Sequence, residues 1–175
     1  ADGGSRWCKV FRRRQQYYGE TYYHTAQEAA EVQPVLGGAA GQGAAGVIVP
    51  HDMGPLEFLV ERFYDRCFDE GGAAGRGLHI FGAERRDFPT QILVNEYRFD
   101  FGISSHFEDE EAFGGVIATI SLLAPVYMSL EQPAEHTNDC SRLRDATKVL
   151  LEPRSLFVMA GALRHEWRHG ITRQR

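Results

Sequence analysis

His106 and Glu108 stand two residues apart in the stretch GISSHFEDEEAFGGVIATISL, residues 102–122, and His169 follows late in the chain. On an extended backbone, side chains at i and i+2 project to the same side. An imidazole and a carboxylate at that spacing can address one ion. A second imidazole from a distant strand would complete a set of two histidines and one carboxylate, which binds Fe(II) on one face and leaves positions open for substrate and O2. Alone, the pattern is a weak signal. The chain has seven histidines, and an acidic solvated loop beside a structural histidine reads the same way.

The elements that must position these groups are strands. Short β-rich runs occupy 91–97, 116–123, 126–130, 148–152, 155–161 and 166–172, and turn-prone or polar stretches such as RFDFG, LAP and EQPAEHTNDCSRLRDAT separate them. The second half therefore predicts an antiparallel β domain, a sandwich or jelly roll. Upstream, 54–72 predicts a helix, with Pro55 at its first position and Gly71 at its stop. Leu56, Leu59, Val60, Phe63, Tyr64, Cys67 and Phe68 recur at helical spacing on one face, which is expected to cover a sheet. Residues 7–24 predict one or two aromatic-rich strands broken at Gly19, and GGAAGQGAAG (37–46) reads as a low-complexity surface loop.

With 175 residues the chain is expected to form one domain. No apolar run approaches the roughly 20 residues of a membrane-spanning helix, and the opening ADGGSRWCKVFRRRQQ lacks the apolar core of a signal peptide. The chain does not begin with Met, as expected of an excised or processed one. Its three scattered cysteines fit neither a disulfide framework nor a zinc pattern, so a reducing compartment is expected. The net charge of −5 argues against a broad nonspecific grip on nucleic acid. The basic, aromatic segment FRRRQQYYGETYYH (11–24) still offers a local platform for a nucleotide, although an exposed arginine edge on a plain strand has the same composition.

VNEYRFDFGISSHFEDEEAFGGVIATISLL, followed by LLEPRSLFVMAGALRHEWRHGI, resembles the AlkB-type family of Fe(II)- and 2-oxoglutarate-dependent dioxygenases. The likeness lies in Asn95-x-Tyr97, in Gly102 and Ile103 ahead of His106, and in Phe113, Ile117, Ser121 and Leu122. It continues in Arg154, Ser155, Leu156, Val158, Met159 and Gly161, and ends in Trp167-x-His169-Gly170-Ile171. RRRQQYYGETYYH is similar to that family's substrate-lid segment. The resemblance implies a mostly β chain with a covering helix, an α+β arrangement built on a double-stranded β-helix (jelly roll). It implies a single domain over 1–175, with lid-like strands at 7–36, a flexible insert at 37–54, a helix at 55–70 and a jelly-roll core at 88–175. It implies Fe(II) on His106, Glu108 and His169, with no catalytic residues beyond these ligands, and 2-oxoglutarate lined by Asn95 and Tyr97. Arg12 and Arg14 would meet phosphates of a nucleic acid, and Tyr17, Tyr18 and Tyr22 would stack on a modified base drawn into the pocket. Trp167 is expected in the core and His165 on the opposite face or near the ligands. A monomer inside the cell, in cytoplasm or nucleus, is the corresponding expectation. The activity implied is oxidative N-demethylation of RNA or DNA bases, with release of succinate, CO2 and formaldehyde.

Three departures qualify the likeness. Glu108 stands where the family has aspartate, and Asp109 competes with it for the ligand slot. Tyr17 replaces a histidine. The family's last strand, whose arginines hold 2-oxoglutarate and line the base pocket, is absent unless Arg173 or Arg175 substitutes, so the jelly roll is expected to lack its C-terminal strand. Other readings of the same residues are an oxygenase acting on protein or on a tRNA wobble uridine, a non-catalytic binding module, and a cupin-type metal enzyme.

Overall fold

The computed structural model describes residues 7–10, 13–22, 48–49, 56–60, 89–98, 101–134 and 142–171. Arg12, most of the 37–54 insert, residues 61–70 of the expected helix, and Arg173 and Arg175 lie outside them. Two compact units divide the chain, Ala1–Glu96 and Tyr97–Arg175.

In the first unit, β1 (Cys8–Val10), β2 (Arg13–Gly19) and β5 (Gln91–Glu96) form an antiparallel sheet with β2 in the middle. Gly19 ends β2 with φ 74°, a left-handed conformation that glycine adopts without steric cost. β3 (Thr21–Tyr22) pairs with β4 (Ile48–Val49). This corrects the reading of 37–54 as wholly insert: β-branched Ile48 and Val49 suit a pleated ladder and take one. Of the expected helix, residues 57–60 are helical.

The second unit holds two antiparallel sheets. β6 (Ile103–His106), β11 (Arg168–Ile171), β8 (Val126–Pro133) and β9 (Leu143–Leu151) lie in that order in one. β7 (Val116–Ile120) and β10 (Leu156–Ala160) make the other. The unit is thus the antiparallel jelly-roll type expected. Alternation along β8 sets its core: Met128 and Leu130 are buried while Tyr127, on the opposite face, is exposed. With Leu151 of β9 they form a cluster, against which Phe157, Leu163, Trp167 and Ile171 pack. Trp167 is therefore a packing residue, as expected. Truncating any of the three buried members to alanine costs about 2–5 kcal/mol.

Three boundaries differ from the sequence reading. β9 begins at Leu143, five residues before the expected start, because LRDAT pairs with the far end of β8. β8 correspondingly runs on through Glu131 and Gln132 to Pro133. β11 begins at Arg168, two residues after the expected start at 166, and a four-residue helix, α1 (Ala162–His165), precedes it. Gly161 opens it with φ 55°, turning the chain out of β10.

Candidate metal centre

β11 runs between β8 and β6, so His169 has a neighbour on each side: Leu130 across one ladder and His106 across the other. Residues directly opposite in a ladder point to the same face. Leu130 faces the core, and His169 does so with it, its side chain only 12% exposed. Arg168 takes the other face and meets its ladder partner Glu131 at 3.4 Å.

The approach of β6 to β11 depends on Gly170. A Cβ there would lie 2.7 Å from the Ile103 carbonyl oxygen and 2.8 Å from the Ser105 nitrogen. Both obstacles are backbone, which cannot swing aside. The ladder shifts register between His169 and Ile171, an irregularity of the bulge kind that re-aims side chains. The rings of His106 and His169 end with centroids 4.6 Å apart.

Glu108 completes the group. Its Oε1 lies 3.4 Å from His106 Nε2 and 3.5 Å from His169 Nε2, and the three candidate ligand atoms all fall within 4.8 Å of one another. Donors bound to one ion at about 2.1 Å stand about 3.0 Å apart at a right angle and about 3.4 Å apart at a tetrahedral angle. The two measured spacings suit ligands converging from one side. His106 Nδ1 donates to the Ser104 carbonyl oxygen at 2.8 Å. A carbonyl can only accept, so the proton sits on Nδ1 and the Nε2 lone pair is left for a cation. Burial disfavours the charged form of Glu108. When the two imidazoles are protonated in place of binding a cation, their Nε2–H hydrogen bonds and charges outweigh that and hold its carboxyl well below the usual carboxylate range.

Asp109 is occupied elsewhere. Its Oδ1 accepts the backbone N–H of Glu111 at 2.8 Å and of Ala112 at 3.0 Å, closing the turn after the acidic run. Of the two competing acids, Glu108 is the one brought to the imidazoles. His165 sits on α1 rather than on a strand, with Nδ1 2.9 Å from Glu110 Oε1. Sequence reasoning missed Arg164. This side chain is 3% exposed, and its guanidinium donates to the carbonyl oxygens of Glu108 (3.2 Å), Asp109 (3.1 Å), Phe113 (3.3 Å) and Gly114 (3.1 Å). Nothing in the spacing ALRHEW marks such a role.

The remaining candidates lie on the first unit or at the start of the second. Arg14 forms a two-pronged pair with Glu96 on the neighbouring strand, one contact at 2.7 Å, and stacks over Trp7 at 4.8 Å. Tyr17 and Tyr18 are buried. Gln15, also buried, lies 2.8 Å from the Asn95 side-chain amide and 2.7 Å from the Tyr17 hydroxyl; with its amide turned so that the oxygen accepts from Arg13 Nε at 3.0 Å, its nitrogen donates to that hydroxyl. Tyr22 lies on β3 opposite Ile48, and Tyr97 is half-buried directly after β5.

Residues 58–175 match the family model of the 2OG-Fe(II) oxygenase superfamily. The chain belongs to that superfamily. It is an oxygenase of the AlkB type, and the superfamily's cofactors are Fe(II) and 2-oxoglutarate. The oxygenase is similar to the mouse tRNA (carboxymethyluridine(34)-5-O)-methyltransferase ALKBH8, 34% identical over 84 residues, covering 48% of this chain and 11% of that protein. It is also similar to an Arabidopsis thaliana protein named alkylated DNA repair protein ALKBH8 homolog, 25% identical over 181 residues, covering 94% of this chain and 43% of that one. An uncharacterized protein L905 of Acanthamoeba polyphaga mimivirus is 25% identical over 122 residues, 70% of this chain and 51% of its own. The oxygenase thus spans about half or less of these relatives. Among the described residues, no helix is long and apolar enough to cross a membrane.

Proposed function

We propose that the oxygenase binds Fe(II) through His106, Glu108 and His169 and, with 2-oxoglutarate and O2, hydroxylates and removes N-methyl groups from bases of RNA or DNA. The observation that supports this reading is the approach of Glu108 Oε1 to both Nε2 atoms, at 3.4 and 3.5 Å, with the His106 tautomer set for binding a cation. Bound there, the ion would supply the oxidative decarboxylation of 2-oxoglutarate to succinate and CO2 and the coupled hydroxylation of a C–H bond. A hydroxylated N-methyl carbon leaves as formaldehyde.

The chain's own residues orient the ligands and exclude water. Ser104 fixes one imidazole, the β8 ladder fixes the other, and Trp167 packs against the cluster beneath β11. We assign Asn95 and Tyr97 to the cosubstrate, so Asn95→Ala and Tyr97→Phe raise KM for 2-oxoglutarate. The segment with Arg12, Arg14, Tyr17, Tyr18 and Tyr22 is the proposed substrate-facing element. Within it Arg14, paired with Glu96, and the buried Tyr17 and Tyr18 hold the strand in shape.

Anaerobic addition of Fe(II) and 2-oxoglutarate tests the metal reading, with a visible charge-transfer band expected. Incubation in air with methylated RNA and DNA oligonucleotides tests the substrate, with formaldehyde and succinate expected in equal amounts. Metal binding without any response to 2-oxoglutarate would count for a cupin-type site. The name of the mouse relative, which specifies uridine 34 of tRNA, supports a second reading. On a tRNA bearing a modified wobble uridine, that reading expects a hydroxylated nucleoside with no formaldehyde.

A further inference from the structure

The acidic run Glu108–Glu111 raises a physical problem. Four neighbouring carboxylates repel one another, yet Glu108 turns toward His106 and His169 while Glu110 meets His165 outside that group. Nothing in the run itself distinguishes Glu108 from Asp109. The buried guanidinium of Arg164 lies beneath the run and takes the carbonyl oxygens of both residues. It also takes those of Phe113 and Gly114 at the far end of the same loop. All four contacts are to main chain, so Arg164 dictates peptide orientation rather than pairing with any carboxylate.

Burying a cation is costly unless polar partners compensate it. Here four carbonyl dipoles do so, and each fixes one peptide plane of the loop. Holding the 108 and 109 carbonyls on one guanidinium aims the two successive side chains apart: Glu108 toward His106 and His169, and Asp109 toward the N–H groups of Glu111 and Ala112. Arg164 also lies on α1, which leads through Glu166 and Trp167 into β11 and His169. One side chain therefore ties the loop bearing Glu108 to the chain segment bearing His169.

We infer that Arg164 is a positioning residue that selects Glu108, over Asp109, as the carboxylate facing the two imidazoles and sets its distance from His169. This rests on the ligand set proposed above. It requires no contact between Arg164 and any substrate.

The test is titration of the full metal-free chain with Co(II) alone, read by visible ligand-field absorption. The proteins compared are wild type, Glu108→Gln, Arg164→Gln and Arg164→Lys. Groups that orient ligands from outside typically govern metal affinity by about 10–100-fold. Arg164→Gln is expected to weaken Co(II) binding by about that factor and to shift the absorption envelope. Arg164→Lys, which keeps the charge but loses the planar fork, should recover part of the affinity and not the spectrum. A purely structural role would lower the melting temperature and leave affinity and spectrum of the folded protein unchanged. Wild-type affinity and spectrum in either folded arginine variant overturns the inference. If Arg164→Gln does not fold, Arg164→Lys decides alone. Co(II) binding by Glu108→Gln equal to wild type would instead overturn the ligand set, so the two failures are told apart.

Discussion

His169 of β11 stands directly opposite His106 of β6 as a cross-strand pair, with ring centroids 4.6 Å apart. The next residue, Gly170, lets the two strands lie that close, because any Cβ there would collide with main-chain atoms of Ile103 and Ser105. Gly170→Ala should therefore move β6 away from β11. Overpacking of this kind costs about 1–3 kcal/mol, seen as a lower urea midpoint. Metal affinity should fall with it, as the imidazoles separate. Normal affinity in Gly170→Ala would show that the pair tolerates displacement.

The Glu108 carboxyl is held low by its two histidine partners, against the opposing effect of burial. A depressed folded-state pKa means the folded chain binds fewer protons than the unfolded chain over the interval between the two values. Stability from this group is thus fully present above the ordinary carboxylate value of 4.5. It is lost progressively as pH falls from there toward the depressed folded value. Urea unfolding of the metal-free protein should show stability falling from pH 5 to pH 3, and Glu108→Gln should show a shallower fall over the same range. Equal slopes would mean that the carboxylate contributes nothing to acid stability.

Arg154 has φ 67°, the left-handed region that costs a non-glycine residue about 1–2 kcal/mol. Its N–H donates to the Ser121 carbonyl at 2.7 Å, and the Ser121 N–H donates to the Ser155 carbonyl, which docks the β9–β10 turn on the end of β7. Those bonds are main chain and survive substitution. Arg154→Gly should accordingly raise stability by a few tenths to about 1 kcal/mol, after the added freedom of glycine in the unfolded chain. Thermal unfolding checks this, and a lowered melting temperature would point to a contact made by the Arg154 side chain.

The Tyr17 hydroxyl accepts a hydrogen bond from the buried Gln15 amide at 2.7 Å. Tyr17→Phe leaves the ring and deprives the buried Gln15 amide of that partner, so a loss of about 1–3 kcal/mol in stability is expected. Binding of a methylated oligonucleotide, measured by fluorescence anisotropy on the folded fraction, should change less than stability does. A large loss of binding with unaltered stability would make the hydroxyl a substrate contact.

The strand-rich second half was legible because its apolar runs are punctuated by turn residues. The grouping of His106 and Glu108 with His169 was legible through the resemblance, since His169 is far from the other two in order and only the fold joins them. The choice between Glu108 and Asp109 was not legible, because it depends on which way one peptide plane turns. Arg164 stayed hidden because its partners are carbonyl oxygens, which every residue carries. The first half of β9 was missed for a related reason. Leu143, Arg144, Asp145, Ala146 and Thr147 are exposed on both faces, so no alternation of apolar and polar residues marks them as strand.

That stretch is also the rim of its sheet: among the described residues β9 pairs with β8 and with nothing on its other side. An uncovered rim offers its main-chain groups to any other polypeptide and invites fibre growth. Arg142, Arg144, Asp145 and Lys148 place charge along it. A second chain extending the ladder would have to strip water from those groups, so crowded molecules are discouraged from stacking rim to rim.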